Sequence, residues 1–253
     1  LIISENIEKN SVLAEQLYQC LPLKITFLSL DKAYEEILGK IPIDFVNQAW
    51  FLKNLSESEK STYDKIKRLT DFIIAAVLII LTSPFWLIAA IAIKLDDKGP
   101  VFYKQERVGR NRKNFLIFKF RSMVVNAEKA GAVWASKKDP RVTPVGKVLK
   151  KFHIDEFPQM LNVLRGELSL TGPRPERPEF VKQLEKEIPH YNLRHIIKPG
   201  FTGWAQTRFI QYARSAQESH EKFQYDLYYI KNRSFLLDLG ILLKTFLLFF
   251  KTE

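Results

Sequence analysis

Residues 72–93, FIIAAVLIILTSPFWLIAAIAI, decide how this chain is organised, because so long an apolar run needs a membrane or a large core around it. A membrane helix takes about 20 residues, and the run is long enough. Pro84 lies near its centre, where proline removes a helix hydrogen bond and clashes with the preceding turn. Ser83 can donate to a carbonyl that the proline frees. The run therefore predicts a membrane helix with a bend at Ser83–Pro84.

Basic residues flank this run on both sides: Lys65, Lys67 and Arg68 before it, and Lys94 and Lys98 after it. Because positive flanks stay on the cytoplasmic side, both ends are expected there. A re-entrant helix over residues 68–95, which enters one leaflet and returns, satisfies both the bend and the flanks. A proline-kinked helix that crosses the membrane is the alternative. A buried helix of a soluble core is the reading that this length favours least.

The positive charge of the chain is concentrated in one segment. The whole sequence of 253 residues has a net charge of +11. Residues 98–151 contain 15 Lys or Arg and 3 Asp or Glu, a difference of +12, so this segment carries the entire excess. Such a segment favours an anionic partner, which is a lipid surface, a nucleotide diphosphate or a nucleic acid, over a merely solvated surface. The single cysteine, Cys20, fits a reducing compartment.

The sequence divides near residue 60. Residues 1–60 are typical of the end of an α/β unit, and Ser56–Lys60 are expected to be a linker. Their expected elements are strands at the start and at 25–28, a helix over 11–20, and a helix capped by Asp31 that stops at Gly39. Residues 61–253 form the second expected domain. Beyond the apolar run we expect strands over 101–109 and 114–123 and helices over 126–135, 155–166, 180–187 and 216–230. The apolar tail after residue 234 fits an interfacial helix, with a buried helix as the alternative.

Two adjacent acids, Asp155 and Glu156, open one of these helices. Consecutive helix residues point about 100° apart, so both carboxylates reach one site only near a helix end. Asp155 alone would most simply be a helix cap. Soon after the acids, however, Arg174 stands between Pro173 and Pro175. The fixed φ angles of the two prolines hold the arginine in place, and its planar fork suits a phosphate. A solvated arginine on a surface turn is the alternative.

Further cations stand near these residues in the sequence: Arg107, Arg110, Lys119 and Arg121. A diphosphate substrate needs several such groups, together with Mg²⁺. The sequence contains neither G-x-G-x-x-G nor G-x-x-x-x-G-K-[ST], and its histidines and cysteine lack zinc spacing. The FLIFKF segment alternates aromatic and basic character but lacks the glycines of an RNA-binding strand, so we expect no nucleic acid partner.

Several motifs together resemble the bacterial sugar transferase family, the monotopic polyprenyl-phosphate phosphoglycosyl transferases. They extend from about Lys65 to the end of the chain: KRLTDF, Ser83–Pro84, KGPVFYKQERVGRN, FLIFKFRSM, IDEFPQMLNVLRGELSLTGPRP and KPGFTGWAQ. The resemblance implies a mostly helical α/β catalytic domain over 61–253 with a re-entrant membrane helix and interfacial helices. Longer members carry a Rossmann-like domain before it, and residues 1–60 look like its tail.

The resemblance also implies a reaction: transfer of a sugar 1-phosphate from a UDP-sugar to undecaprenyl phosphate, which releases UMP. Asp155 would be the nucleophile that forms a covalent phosphosugar intermediate. Glu156 would place or deprotonate the lipid phosphate, and both acids are the expected Mg²⁺ ligands. Arg174 would hold a phosphate, with Lys119, Arg121, Arg107 and Arg110 as further substrate-binding residues. Thr171 and His153 depart from the family pattern.

The same resemblance places the protein in the bacterial inner membrane, with its catalytic domain on the cytoplasmic face, where it would begin an exopolysaccharide, a capsule or an O-antigen. The variant RPERPEF resembles hexose-transferring members, which favours UDP-glucose or UDP-galactose. Longer relatives point to a homodimer. Two rival functions remain: a membrane-tethered basic scaffold that binds anionic lipid, and a nucleotide-binding regulator without catalysis.

Overall fold

The computed structural model describes residues 2–3, 11–55, 60–127, 139–208 and 215–250. The chain divides into two compact units, Leu1–Leu55 and Ser56–Glu253. The segment 126–135, predicted as a helix, begins with a turn at 126–127, and its remainder lies outside the described residues.

In the first unit, strand β1 (Ile2–Ile3) pairs in parallel with β2 (Leu28–Ser29). The helices of this unit are α1 (Ser11–Gln19), α2 (Leu30–Leu38) and α3 (Gln48–Asn54). The predicted stop of α2 is confirmed, because Gly39 has a φ of 64°, which glycine adopts without strain. The predicted cap is wrong: Ser29 holds the N-cap position, and Asp31 lies in the first turn and accepts a hydrogen bond from Trp50 Nε1 at 3.2 Å.

The second unit begins with helix α4 (Ser61–Asp97), which continues through Pro84. Among the described residues it is the one helix long and apolar enough to cross a membrane. Pro84 has no N–H for the carbonyl of Ile80, and the Ser83 hydroxyl donates to that carbonyl at 2.8 Å. The predicted hydrogen bond of Ser83 to the freed carbonyl is thereby confirmed, and the bend remains a prediction.

Two strand pairs and six helices follow α4 in the described part of the unit. Strands β3 (Phe102–Val108) and β4 (Asn114–Phe120) form the predicted antiparallel pair. Strands β5 (Ser169–Thr171) and β6 (Gly200–Thr202) pair in parallel. The helices are α5 (Pro144–Lys151), α6 (Gln159–Arg165), α7 (Pro178–Glu187), α8 (Trp204–Arg208), α9 (Ala216–Asn232) and α10 (Phe235–Phe250). The unit is therefore mostly helical.

Helix α4 packs at two places on the described part of residues 98–250, which we name the polar body of this unit. Near its start, Ala75 joins a core cluster with Phe115 and Ile117 of β4 and Met160 and Val163 of α6. Near its end, Ala89 and Ile93 join Phe120 and Leu149. Between these contacts large apolar side chains are exposed: Val77, Ile80, Leu81, Phe85, Leu87 and Ile88. Burial against the described residues therefore does not account for the middle of the helix.

Candidate active site

The two acids lie on a short 3-10 turn, Ile154–Glu156, between α5 and α6. The predicted single helix from Asp155 to Gly166 is thus divided, because Pro158 lies inside it and α6 begins only at Gln159. The predicted end at Gly166 is confirmed by its φ of 80°. The two carboxyl groups are close enough to interact, since the charge of Glu156 acts on Asp155.

Glu156 is held by two cations from different elements. Lys119 of β4 donates to Glu156 Oε1 at 2.7 Å. Arg174, on the loop after β5, donates to the same oxygen at 2.6 Å. Burial alone would favour the protonated form, but Arg174 and Lys119 outweigh it, so the pKa of Glu156 lies well below its usual range. This carboxylate is therefore charged at neutral pH and fixed in position.

Asp155 has the opposite surroundings. Its side chain is buried, and among the described residues it accepts no hydrogen bond from any donor. Burial raises the pKa of Asp155 above its usual range, the nearby charge of Lys119 opposes this, and Glu156 adds to the rise. Asp155 is thus a poorly solvated carboxylate with unused lone pairs, next to a charged glutamate that is ion-paired with two cations.

The strand that carries Lys119 is fastened to the helix that follows the acids. Asn162 of α6 is fully buried, its Oδ1 accepts from the Phe118 N–H at 3.0 Å, and its Nδ2 donates to the Leu116 carbonyl at 2.7 Å. Since these groups lie on the edge of β4, the side chain amide extends the sheet hydrogen bonding to α6. Lys119 and the acidic turn therefore keep a fixed separation.

The loop that carries Arg174 is held by its backbone. The Pro173 carbonyl accepts from the Gly200 N–H at 2.9 Å, and the Arg174 carbonyl accepts from Arg194 at 2.9 Å. The Pro175 carbonyl accepts from Arg107 at 3.0 Å. A Cβ on Gly200 would lie 2.1 Å from the Gly172 nitrogen, so only glycine permits this approach of the two segments. The guanidinium of Arg174 is consequently preorganised by main-chain contacts.

A buried ion network supports this loop from beneath. Glu176 accepts from Lys222 at 2.5 Å and lies 3.9 Å from Arg107 and 4.0 Å from Arg194. Arg194 also pairs with Asp226 at 2.9 Å. Burial opposes the charge of Glu176, but Lys222 and Arg194 outweigh it and lower its pKa to about 2. Glu176 is therefore ionised at neutral pH, and its network ties α9 to the loop.

The structure brings together only part of the set of cations chosen from the sequence. Arg174 and Lys119 meet at the acids, as described above. Arg107 instead supports the loop backbone, and Arg121 pairs with Asp97 at the end of α4. Arg110 lines a separate cleft near the start of α4. Sequence reasoning missed Arg194, Glu176, Lys222, Asp226 and Asn162, because partners distant in sequence leave no local pattern.

The acidic pair also suits a divalent cation that a substrate shares. Among the described residues there is no group of three or more His, Cys, Asp or Glu that could hold a metal by itself. Mg²⁺, however, is commonly bound by one or two carboxylates together with substrate phosphates. Asp155, with its unused oxygens, fits that role better than Glu156, whose Oε1 is already bound to two cations.

Fold and site together define a class of protein: a helical body on a long apolar helix, with an acidic pair and fixed cations of the kind that phosphoryl transfer uses. Comparison with known proteins narrows this class. The family described as bacterial sugar transferase matches residues 62–252. The chain belongs to this family, as the sequence motifs predict.

Three curated relatives are similar over most of this chain. A UDP-N-acetylgalactosamine-undecaprenyl-phosphate N-acetylgalactosaminephosphotransferase of Aeromonas hydrophila is 44% identical over 90% of this chain and 53% of its own length. A UDP-glucose:undecaprenyl-phosphate glucose-1-phosphate transferase of Klebsiella pneumoniae is 43% identical over 71% of this chain and 39% of its own length. One of the same name from Caulobacter vibrioides is 36% identical over 85% of this chain and 83% of its own length. The chain thus spans about half or less of the first two relatives.

Proposed function

We propose that this protein transfers a sugar 1-phosphate from a UDP-sugar to undecaprenyl phosphate, as the names of its relatives say of them. The observation that carries the proposal is the contrast between the two acids. Glu156 is charged and ion-paired with Lys119 and Arg174, whereas the carboxylate oxygens of the buried Asp155 accept no hydrogen bond from the described residues. A free, poorly hydrated carboxylate beside fixed cations is suited to attack phosphorus.

In the proposed first step, an Asp155 carboxylate oxygen bonds to the phosphorus that bears the sugar. The bond from this phosphorus to the bridging oxygen breaks, and UMP leaves with that oxygen. In the second step an oxygen of the lipid phosphate attacks the same phosphorus, which frees the Asp155 carboxylate and gives undecaprenyl diphosphate sugar. Two sequential displacements let donor and lipid use one site in turn.

The remaining groups position charge in this proposal. Arg174 and Lys119 lie beside Glu156 and offer further N–H donors to phosphate oxygens. Glu156 keeps both cations in place and orients the lipid phosphate. Mg²⁺ bound through Asp155 and the substrate would neutralise the diphosphate. Because these charges are fixed before substrate binds, little reorganisation is needed during the transfer.

We further propose that α4 is re-entrant, so that the site faces the cytoplasmic leaflet of the inner membrane. Both ends of the helix contact the same polar body: Arg68 donates to the Val163 and Leu164 carbonyls, and Asp97 pairs with Arg121. The exposed apolar side chains lie between these ends. A helix fastened at both ends to one body enters and leaves the lipid on one side.

The topology is tested by single cysteines placed at Lys65 and Lys98, in a background where Cys20 is replaced by serine. Both cysteines should react with an impermeant thiol reagent only from the cytoplasmic side. Reaction of either cysteine from the opposite side would refute the re-entrant helix and leave a helix that crosses the membrane.

The reaction is tested by UMP release from a panel of UDP-sugars, with undecaprenyl phosphate and Mg²⁺, for the wild type and for Asp155→Asn. The panel includes UDP-glucose, UDP-galactose and UDP-N-acetylgalactosamine, since the relatives carry both hexose and N-acetylhexosamine names. We expect UMP from one sugar and a loss of at least about 10³-fold in the variant. A membrane-tethered scaffold would release no UMP and would keep its lipid binding in the variant.

For the first unit we propose the end of a Rossmann-like domain, supported by the parallel pair β1–β2 with helix α1 between its strands. We also propose that the protein is a homodimer, as the resemblance to longer family members suggests. Sedimentation of the detergent-solubilised protein tests the dimer, and the mass of a single protomer would be the contrary result.

A further inference from the structure

A basic cleft lies at the start of α4. It is lined by eleven residues, of which five are basic and two are acidic. The basic residues are Lys67, Arg68, Arg110, Lys198 and Arg233, and the acidic residues are Asp64 and Asp71. No lining residue is one of the cations bound to Glu156, so the cleft is separate from the acidic pair.

Both acids of the cleft are already engaged. Asp64 lies 3.5 Å from Arg233. Asp71 accepts from the Ser169 hydroxyl at 2.7 Å and from the Leu170 N–H at 3.3 Å. Lys67 is 2.7 Å from Asp238, which lies outside the lining. These pairs leave the acids of the cleft little capacity to neutralise its other cations.

Arg68 donates to the Val163 and Leu164 carbonyls, which leaves Arg110 and Lys198 as the two other cations of the cleft. In the part of the chain that the structure describes, neither lies within 4.0 Å of a carboxylate oxygen or donates a hydrogen bond. Burial lowers the pKa of Lys198, and the neighbouring charges of Arg68 and Arg110 lower it further. A half-buried lysine repelled by two arginines gains stability from an anion placed among them.

The cleft also lies where the polar body meets the apolar surface of α4. Arg68 is followed along α4 by Leu69, Phe72 and Ile73, which are 60%, 46% and 52% exposed. A ligand here would have its charged group among the cations and its apolar part along the helix. Lipids whose headgroup carries a phosphate have this division of charged and apolar parts.

We propose that this cleft binds the phosphate group of a membrane lipid, through Arg110 and Lys198, at a site separate from Asp155 and Glu156. Two lipids share this chemistry. One is an anionic phospholipid of the surrounding leaflet, and the other is undecaprenyl phosphate before it enters the active site. Only the second source rests on the proposed function, because the first requires no catalysis.

The test measures binding of three probes to the full chain in neutral detergent: dioctanoyl phosphatidylglycerol, dioctanoyl phosphatidylcholine and undecaprenyl phosphate. The test variant is Arg110→Gln with Lys198→Gln. The matched control is Lys65→Gln with Lys94→Gln, which removes the same charge from exposed positions on α4 outside the cleft. Thermal unfolding without lipid checks that both proteins are folded.

We expect the test variant to raise the dissociation constant of phosphatidylglycerol or of undecaprenyl phosphate by about tenfold or more, and the control variant to change it by less than about twofold. A loss for phosphatidylglycerol identifies the headgroup of a phospholipid, whereas a loss for undecaprenyl phosphate alone identifies the acceptor lipid. Equal losses in both variants would show only diffuse attraction and would overturn the proposal. So would unchanged binding of both anionic probes by the test variant. Absence of UMP release, with the phosphatidylglycerol result intact, would count against the proposed function and leave this site standing.

Discussion

Two glutamates of this protein, Glu156 and Glu176, are surrounded by cations. The two sites differ in the other contacts that those cations make. The partners of Glu156 are Lys119 and Arg174. Those of Glu176 are Lys222, Arg107 and Arg194. In both sites the cations outweigh burial and hold the pKa of the glutamate below its usual range. The electrostatic arrangement is therefore common to the two.

The difference lies in access. The side chain of Arg174 is 24% exposed, whereas that of Arg194 is 2% exposed and also bound to Asp226. Arg107 and Arg194 further donate to backbone carbonyls of the Arg174 loop. The region around Glu176 thus uses its charges to build the loop, and the region around Glu156 leaves donors available for a ligand. Of the two arginines in these similar ion pairs, Arg174 is open to a ligand and Arg194 is sealed from solvent.

The largest expected effect comes from removing an arginine from the buried ion network around Glu176. Replacing Arg194 by Met leaves the buried Asp226 without its ion-pair partner, while Glu176 keeps Lys222 and Arg107, and we expect a loss of about 3–5 kcal/mol in the free energy of unfolding. Denaturant unfolding of the detergent-solubilised protein measures it. In a companion double variant, Arg194→Met with Asp226→Leu, part of the stability should return. An unchanged unfolding midpoint in the single variant would break the distinction between the regions.

Arg174→Gln is expected to act on turnover more than on stability. Its guanidinium is accessible, so its loss removes a donor from the phosphate, and we expect a fall of about 10²–10³-fold in the rate of UMP release. Arg177→Gln, three residues further along the same loop, is the matched control, since Arg177 pairs with the exposed Glu179 at 3.5 Å. Comparable rates in the two variants would contradict the assigned role of Arg174.

Acid should weaken the buried ion network around Glu176 over a defined range of pH. The folded pKa of Glu176, about 2, lies below its ordinary value of 4.5. Its contribution to stability is therefore complete above pH 4.5 and is lost as the pH falls towards 2. Glu176→Gln lacks this proton and should lose less stability than the wild type between pH 5 and pH 3. Thermal unfolding at the two pH values measures the difference, and parallel losses would show that other groups control it.

The smallest effect is expected at an exposed ion pair. Arg112 is 57% exposed and lies 2.7 Å from Glu185. Because such pairs are screened by water, Arg112→Gln should change the free energy of unfolding by less than about 1 kcal/mol. The same unfolding assay measures it. A loss as large as that of Arg194→Met would show that exposure does not separate the ion pairs of this protein.

The sequence predicts those parts of the fold that depend on local chemistry. The β3–β4 hairpin, the stop signals at Gly39 and Gly166 and the Ser83–Ile80 bond follow from residue types and spacing. The division of the helix at Pro158 follows from the same effect of proline on a helix as at Pro84. The Glu176 network joins residues as distant in sequence as Arg107 and Asp226, and their contacts depend on the tertiary fold.

At the candidate site, the sequence identifies Asp155, Glu156 and Arg174 but does not choose among the nearby cations. Lys119 and Arg121 are two residues apart on or beside β4, yet one contacts Glu156 and the other contacts Asp97. Alternation along a strand separates odd from even positions but does not tell which of two same-side residues meets a distant partner. That choice depends on the length of β4 and on where α4 ends.

The central claim is that Asp155 carries the phosphosugar between the two substrates. Intact-mass measurement after incubation with the donor UDP-sugar and Mg²⁺, without any polyprenyl phosphate, tests it most directly. We predict a mass increase equal to one sugar phosphate, located on the peptide that contains Asp155, absent from Asp155→Asn and removed when undecaprenyl phosphate is added. Turnover in the presence of lipid, with no such adduct at any time after mixing, would contradict the account and indicate direct transfer between donor and acceptor.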